Sequence, residues 1–132
     1  MVVDTSALAA ILFDEPDAEE FEAAIANDPI RLISAATLVE ASTVVERRLG
    51  EQAGRELDSL LTEAGFEVVA VSEEQAEVAR QALRTYGKGR HRASLNFGDC
   101  FAYALSKVSG EPLLFKGHDF SLTDMRAART AR

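Results

Sequence analysis

MVVDTSALAAIL, residues 1–12, sets three apolar residues that read as a strand directly before an acid, Asp4, and then a run of small and aliphatic side chains with helical spacing. Three more short apolar runs follow: IRLIS at 30–34, FEVVAV at 66–71 and PLLF at 112–115. Helical periodicity fills the segments between them. Strand and helix in repeated alternation predict parallel strands with helices packed on them, an α/β class. The punctuation agrees. Gly50, Gly65, Gly87 and Gly110 each close a helical run and suit a left-handed C-cap. Ser72 to Gln75 has the capping-box pattern, and Pro16 reads as a first-turn proline. The closing AARTAR, residues 127–132, is small and basic and is expected to fray.

The 132 residues suffice for one domain, 1–132, and leave no room for a second. With 47% apolar and 27% charged residues the chain falls among globular proteins, not disordered or fibrous ones. No run approaches the roughly 18 uncharged apolar residues of a membrane span, and the N-terminus has an acid where a signal peptide has basic residues. A cytoplasmic protein is expected, with no membrane role. Cys100 is the one cysteine, so it has no internal disulfide partner and reads as a small buried side chain. Two helical runs, ATLVEASTVVERRL and RELDSLLTEA, carry more aliphatic residues than a small sheet covers easily, which makes pairing with a second copy plausible. A second layer of the same domain would cover them equally well.

The net charge of −8 conceals a division. Residues 1–79 hold 4 basic and 18 acidic side chains, whereas residues 80–132 hold 10 basic and 4 acidic. Much of the basic excess lies in TYGKGRHRA, where Lys88, Arg90, His91 and Arg92 crowd a segment with two glycines. A flexible basic loop of this kind can hold phosphates, or can simply be solvated.

Four acids invite a functional reading, each against a structural one. Asp4 stands at the C-terminal end of the first strand, the edge where open α/β sheets build sites, but it is also a good N-cap. Glu40 lies at the border of an apolar helix face, yet Thr37 and Glu40 match a capping box and local spacing favours that cap, unless Ser34 starts the helix. Asp99 follows Asn96 by three residues and suits a first helical turn. A helical wheel groups Phe101, Ala104, Leu105 and Val108 and sets Asp99 opposite, beside Tyr103 and Ser106. Asp119 follows the last apolar run and is also a turn residue, with His118 beside it in the loop. Taken together the four are better evidence. Two are expected at strand C-termini and two on helices that a parallel sheet can bring to the same edge. Carboxylates held together raise one another's pKa unless a cation neutralises them. Oxygen ligands without histidine or thiolate partners select Mg²⁺ or Mn²⁺. Such an ion activates water and neutralises a phosphate, which is what phosphodiester hydrolysis needs. Thr5 and Ser6 can hold an oxygen ligand or water beside Asp4, or cap the first helix.

VVDTSALAAIL, the glutamate of SAATLVEA, LNFGDCFAYALSK and PLLFKGHDFSLTD together resemble, in order and spacing, the PIN-domain ribonucleases, especially the VapC-type toxins of bacterial type II toxin–antitoxin systems. The resemblance covers essentially the whole chain. It implies a three-layer α/β/α fold with a short central parallel sheet. It also implies an endoribonuclease that hydrolyses RNA with Mg²⁺, or Mn²⁺ as the alternative. Asp4 and Asp99 would be the most direct metal ligands, with Glu40 and Asp119 completing the site and Asp124 a less certain fifth acid. It further implies a homodimer and a cognate VapB-type antitoxin, through which alone promoter DNA is engaged. Lys88, Arg90 and Arg92 would then contact the RNA backbone.

Two other readings remain open at this level. A non-catalytic, receiver-like metal-binding module would want paired acids after the first strand and a late lysine, for which Lys116 is a weak match. A phosphatase with an aspartate nucleophile would want a second acid two residues after Asp4, where Ser6 stands.

Overall fold

The structure, a computed structural model, describes residues 1–128. All four apolar runs contribute strands to one parallel sheet: β1 Val2–Val3, β2 Leu32–Ser34, β3 Glu67–Val69 and β4 Leu113–Leu114, in the order β3-β2-β1-β4. Successive side chains of a strand point to opposite faces, so a strand apolar at every position needs cover on both. Val3, Ile33 and Leu114 join the core on one side of the sheet; Val2, Leu32 and Leu113 join that on the other.

Helices α1 Thr5–Leu12, α2 Ala18–Asn27, α3 Ala35–Leu49 and α4 Glu51–Glu63 supply the first side with Leu8, Phe21, Val45, Leu57 and Leu61. Helices α5 Glu73–Tyr86 and α6 Asp99–Ser109 supply the second with Ala82, Tyr103 and Leu105. The expected α/β/α layering is therefore what the chain forms. Because α3 and α4 bury Ala41, Val45, Leu57 and Leu61 against the chain's own α1 and sheet, their aliphatic content does not by itself call for a second copy. Val39 and Leu49 stay exposed.

The winding runs β1 to β2 to β3 in one direction, then returns across the sheet to place β4 on the other side of β1. Strand order reverses between β1 and β4, and in such sheets the crevice beyond the strand C-termini at that point is the natural binding place. Asp4 N donates to Leu114 O across it (2.9 Å).

Local signals hold in part. Ser72 Oγ accepts from Gln75 N (3.1 Å), but the Gln75 side chain donates to Ala70 O, so only half of a capping box forms. Gly50, Gly65 and Gly110 have positive φ, while Gly87 is extended at φ −67°. Gly87 is needed for close approach: a Cβ there would run into Leu83 O. Pro16 precedes the N-cap Asp17 instead of opening α2. Ser34 caps α3 by accepting from Ala36 N (3.2 Å), so Thr37 and Glu40 form no capping box and the Thr37 hydroxyl is buried without a partner.

The helical wheel of α6 also needs correction. Tyr103 and Ser106 are buried and Val108 is exposed, because α6 is packed on several sides and the C-terminal segment supplies polar partners. Tyr103 Oη donates to Asp124 (2.6 Å) and Ser106 Oγ to Glu111 O (2.5 Å). Ala127 and Ala128, expected to fray, are tied to β4 through Ala128 N to Leu113 O (2.8 Å). Residues 129–132 lie outside the described residues.

Candidate active site

At the β1 end, Asp4 is the N-cap of α1 and is almost wholly buried. Its Oδ2 accepts from Ser6 N (3.0 Å) and Ser6 Oγ (2.6 Å), while its buried Oδ1 has no hydrogen-bond partner. Ser6 Oγ accepts in turn from Lys116 N (2.9 Å), which ties the ends of β1 and β4 together. Asp4 is thus both cap and candidate ligand, one oxygen for each task.

Asp99 divides its carboxylate in the same way. Asn96 Oδ1 accepts from Asp99 N (3.0 Å) and Asp99 Oδ2 accepts from Asn96 N (2.9 Å), a reciprocal cap that leaves Oδ1 outside the bond pair. Glu40 projects from the second turn of α3. Thr5 Oγ1 donates to its Oε1 (2.6 Å), and the backbone of Gly98 lies so close that a Cβ there would fall on Oε2. Thr5 and Ser6 therefore position the acids. Asp119 is exposed in the loop after β4, and His118 beside it is exposed too.

Electrostatics unite the four. Burial pushes Asp99 up to about 7, the Asn96 hydrogen bond pulls the other way, and the charges of Asp4, Glu40 and Asp119 add to the rise. Asp4 is also raised, first by burial and then, against its Ser6 hydrogen bonds, by Glu40. A buried carboxylate oxygen with no donor, among like charges, is the chemistry of a cation site. Among the described residues no three His, Cys, Asp or Glu side chains converge closely enough to hold one ion as they stand. Mg²⁺ tolerates this, since it is commonly held by one or two carboxylates and keeps several waters.

A PIN domain family model matches residues 1–125. The chain belongs to the PIN-domain family. Ribonuclease VapC30 of Mycobacterium tuberculosis is 62% identical over 125 residues, 95% of each chain. This PIN domain is accordingly a VapC-type ribonuclease of the toxin group. The crystal structure of M. tuberculosis VapC20, a sarcin–ricin loop cleaving toxin, matches with a TM-score of 0.77 at 21% identity over 94% of this chain and 95% of that one. A toxin–antitoxin complex from Klebsiella pneumoniae matches with a TM-score of 0.64 at 23% identity, covering 91% and 89%. At these identities the two structures speak for the fold.

PIN membership removes the receiver-like and phosphatase readings, and the geometry agrees: Lys116 Nζ pairs with Asp17 (3.0 Å) and Glu15 (3.3 Å). Asp124 stands apart from the other acids. Despite the upward pull of burial it is held below the usual carboxylate range by Lys107 Nζ (2.6 Å) and the Tyr103 hydroxyl. Cys100 is buried, its thiol raised to about 11 chiefly by burial, and Sγ donates to Phe97 O (2.8 Å), a packing role.

The basic segment of this PIN domain is more ordered than a flexible loop. Lys88 N donates to Leu95 O and Leu95 N to Tyr86 O (both 2.9 Å), closing its stem one residue before Asn96. Lys88, Arg90 and Arg92 are exposed on it. Sequence reasoning missed Gly98. Its φ of −64° needs no glycine, so the only signal was a glycine standing beside an acid at a helix start.

Two outcomes follow for this PIN domain. Without divalent ions, Asp99 keeps a proton in the native state up to about pH 7 that the unfolded chain loses near pH 4. Its contribution to stability is complete below about pH 4 and is lost as pH rises through 7. Asp99→Asn should therefore raise the metal-free melting temperature at pH 8 by a few degrees and flatten its decline from pH 5, as read by calorimetry. Gly98→Ala should fold normally, since only a side-chain tip must yield, but displace Glu40 and lower RNA cleavage by about 10- to 100-fold.

Proposed function

We propose that this ribonuclease hydrolyses RNA phosphodiester bonds with Mg²⁺, or Mn²⁺, held at the C-terminal edge of β1 and β4. The observation that carries this reading is the buried, unpartnered Oδ1 of Asp4 among the charges of Glu40, Asp99 and Asp119. Asp4 and Asp99 would hold the ion, each through the oxygen its helix cap leaves free, and Glu40 and Asp119 would complete the site. A divalent ion there supplies Lewis acidity, acidifying water and neutralising charge at the scissile phosphate. The chain's own residues do the rest. Thr5 holds Glu40, Ser6 holds Asp4, and Asp119 stands exposed where it can orient the attacking water.

Lys88, Arg90 and Arg92 supply the attraction that an acidic centre lacks. Residues 1–132 act as one domain in this reading. The proposed protein partners are a second copy of the chain and a VapB-type antitoxin, with DNA reached only through that antitoxin. Among the described residues no helix is long and apolar enough to cross a membrane, and with RNA as substrate the place of action is the cytoplasm.

Purified protein with Mg²⁺ or Mn²⁺ should cut RNA, and a chelator should stop it. Asp4→Asn and Asp99→Asn, confirmed folded by circular dichroism, should each abolish cleavage. Activity surviving in chelator or in both variants would overturn the metal mechanism. Changing Lys88, Arg90 and Arg92 together to Gln should weaken RNA binding and reduce the slope of log affinity against log salt by about 2, as expected for three lost contacts to a single strand. An unchanged slope in a titration from low to moderate salt would remove the loop from the interface.

A further inference from the structure

We propose that His91, in its neutral form, is the positioning residue that holds the basic loop in the shape that meets RNA, through a hydrogen bond that protonation breaks. The proposal rests on the contact of that loop with RNA argued above. It adds the side chain that sets the loop's shape and makes that shape respond to pH.

The loop is built against its own preferences. Lys88, Arg90 and Arg92 fall within five residues and repel one another. Ser94 has a φ of 55°, a left-handed conformation that a residue with a side chain keeps only where its surroundings hold it. Against these stand backbone bonds: Arg90 N and His91 N to Gly87 O, Ser94 N to His91 O, and the stem bonds of Lys88 and Leu95. One side chain joins them. Ala93 N donates to His91 Nδ1 (2.9 Å), so that nitrogen carries the lone pair and the proton of the neutral ring sits on Nε2. Ala93 is wholly buried, so an unpaired N–H there is costly.

The ring is seated as well as bonded. His91 is half-buried and meets Tyr86 edge to face, with centroids 5.1 Å apart and planes at 88°. Tyr86 ends α5, its carbonyl accepts the stem bond from Leu95 N, and its ring packs 6.1 Å from that of Tyr103 on α6. His91 thus ties the loop to the helix pair beneath it, and α6 is the helix that begins at Asp99.

Protonation reverses the bond. An N–H at Nδ1 would face the Ala93 N–H, donor against donor, and a fourth positive charge would join Lys88, Arg90 and Arg92. Among the described residues the Tyr86 phenol is the titratable group packed on the ring from another element, and no carboxylate lies within salt-bridge reach of it. Histidine gains its charge as pH falls from about 8 to 5, so the loop tightens as pH rises through that range and loosens as it falls.

Asparagine is the informative substitute, because its Oδ1 accepts from the N–H two residues on, as in an Asx turn, and does not titrate. In the full chain without RNA, amide exchange corrected for its intrinsic rate should show protection of Lys88, Ala93 and Leu95 falling between about pH 7.5 and 5.5 in the wild type and holding in His91→Asn. His91→Ala should lose about 2- to 10-fold of that protection at both, the factor for one hydrogen bond. Nitrogen NMR should find His91 Nδ1 unprotonated at the higher pH. RNA binding is measured at that pH in an Asp4→Asn background, so that nothing is cut, with Mg²⁺ and a mixed-sequence single-stranded RNA. His91→Ala should weaken it by about 2- to 10-fold and His91→Asn should restore it. In the active protein, His91→Ala should raise KM and leave kcat near the wild-type value.

Unchanged protection in His91→Ala, or a fall with pH in His91→Asn that matches the wild type, would overturn the proposal. So would lost protection with unchanged RNA binding, which would confine His91 to the stability of the loop. Unchanged binding when Lys88, Arg90 and Arg92 are all replaced by Gln is a separate result. It strikes the loop's part in the proposed function, while the exchange measurement, made without RNA, reports on His91 by itself.

Discussion

Like charges held out of water set the terms for this fold's working edge. Asp4 is buried at the end of a central strand, and Glu40 and Asp99 raise the cost of ionising it or are raised in turn. In isolation the Asp4 and Asp99 pair answers by keeping protons. In the presence of a divalent ion it can release them, because the ion supplies the field that desolvation removed. Ionised Asp4 and Asp99 thus weaken the metal-free chain, and a cation bound there would recover that cost.

Two helix starts make the arrangement tolerable. Asp4 caps α1 and Asp99 closes a reciprocal cap at the start of α6, so each carboxylate gives one oxygen to backbone N–H groups that would otherwise be orphaned. A helix N-terminus favours a carboxylate and disfavours a cation. Splitting the two oxygens would resolve the conflict, since each carboxylate keeps one oxygen outside its cap. Glu40 lacks a helix end and is instead pinned between the Thr5 hydroxyl and the Gly98 backbone. Gly98 therefore serves the site by having no side chain.

Features set by local pattern were legible in the sequence. β1, β2 and β4 announce themselves because burial on both faces favours apolar runs, while β3 at the sheet edge leaves Glu67 and Val68 exposed; Asp4 follows the first run directly and Asp119 comes four residues after the last. The likeness of the acid-bearing segments to PIN-domain ribonucleases carried the family. Features set by tertiary neighbours were not legible. The wheel of α6 failed because Tyr103 and Ser106 find polar partners in residues 111–125, which periodicity does not see. Glu40 looked like part of a cap because spacing cannot tell that Ser34 starts the helix earlier. Gly87 looked like a left-handed cap, while its role is to let the chain pass Leu83 O.

The basic loop shows the same limit with a functional consequence. Composition marked residues 87–92 as flexible, yet backbone bonds from Lys88, Arg90 and His91 close it, and Leu95 pins its stem to Tyr86. A loop ordered before binding spends less conformational entropy when it meets a phosphate chain. Because its stem ends one residue before Asn96, whatever fixes the loop also fixes its place relative to the Asn96 and Asp99 cap. The exposed Lys88, Arg90 and Arg92 and the Asp99 carboxylate are in this way strung along a dozen residues of chain. Whatever orders this stretch therefore sets the positive charge of the loop and the Asp99 carboxylate in one fixed relation.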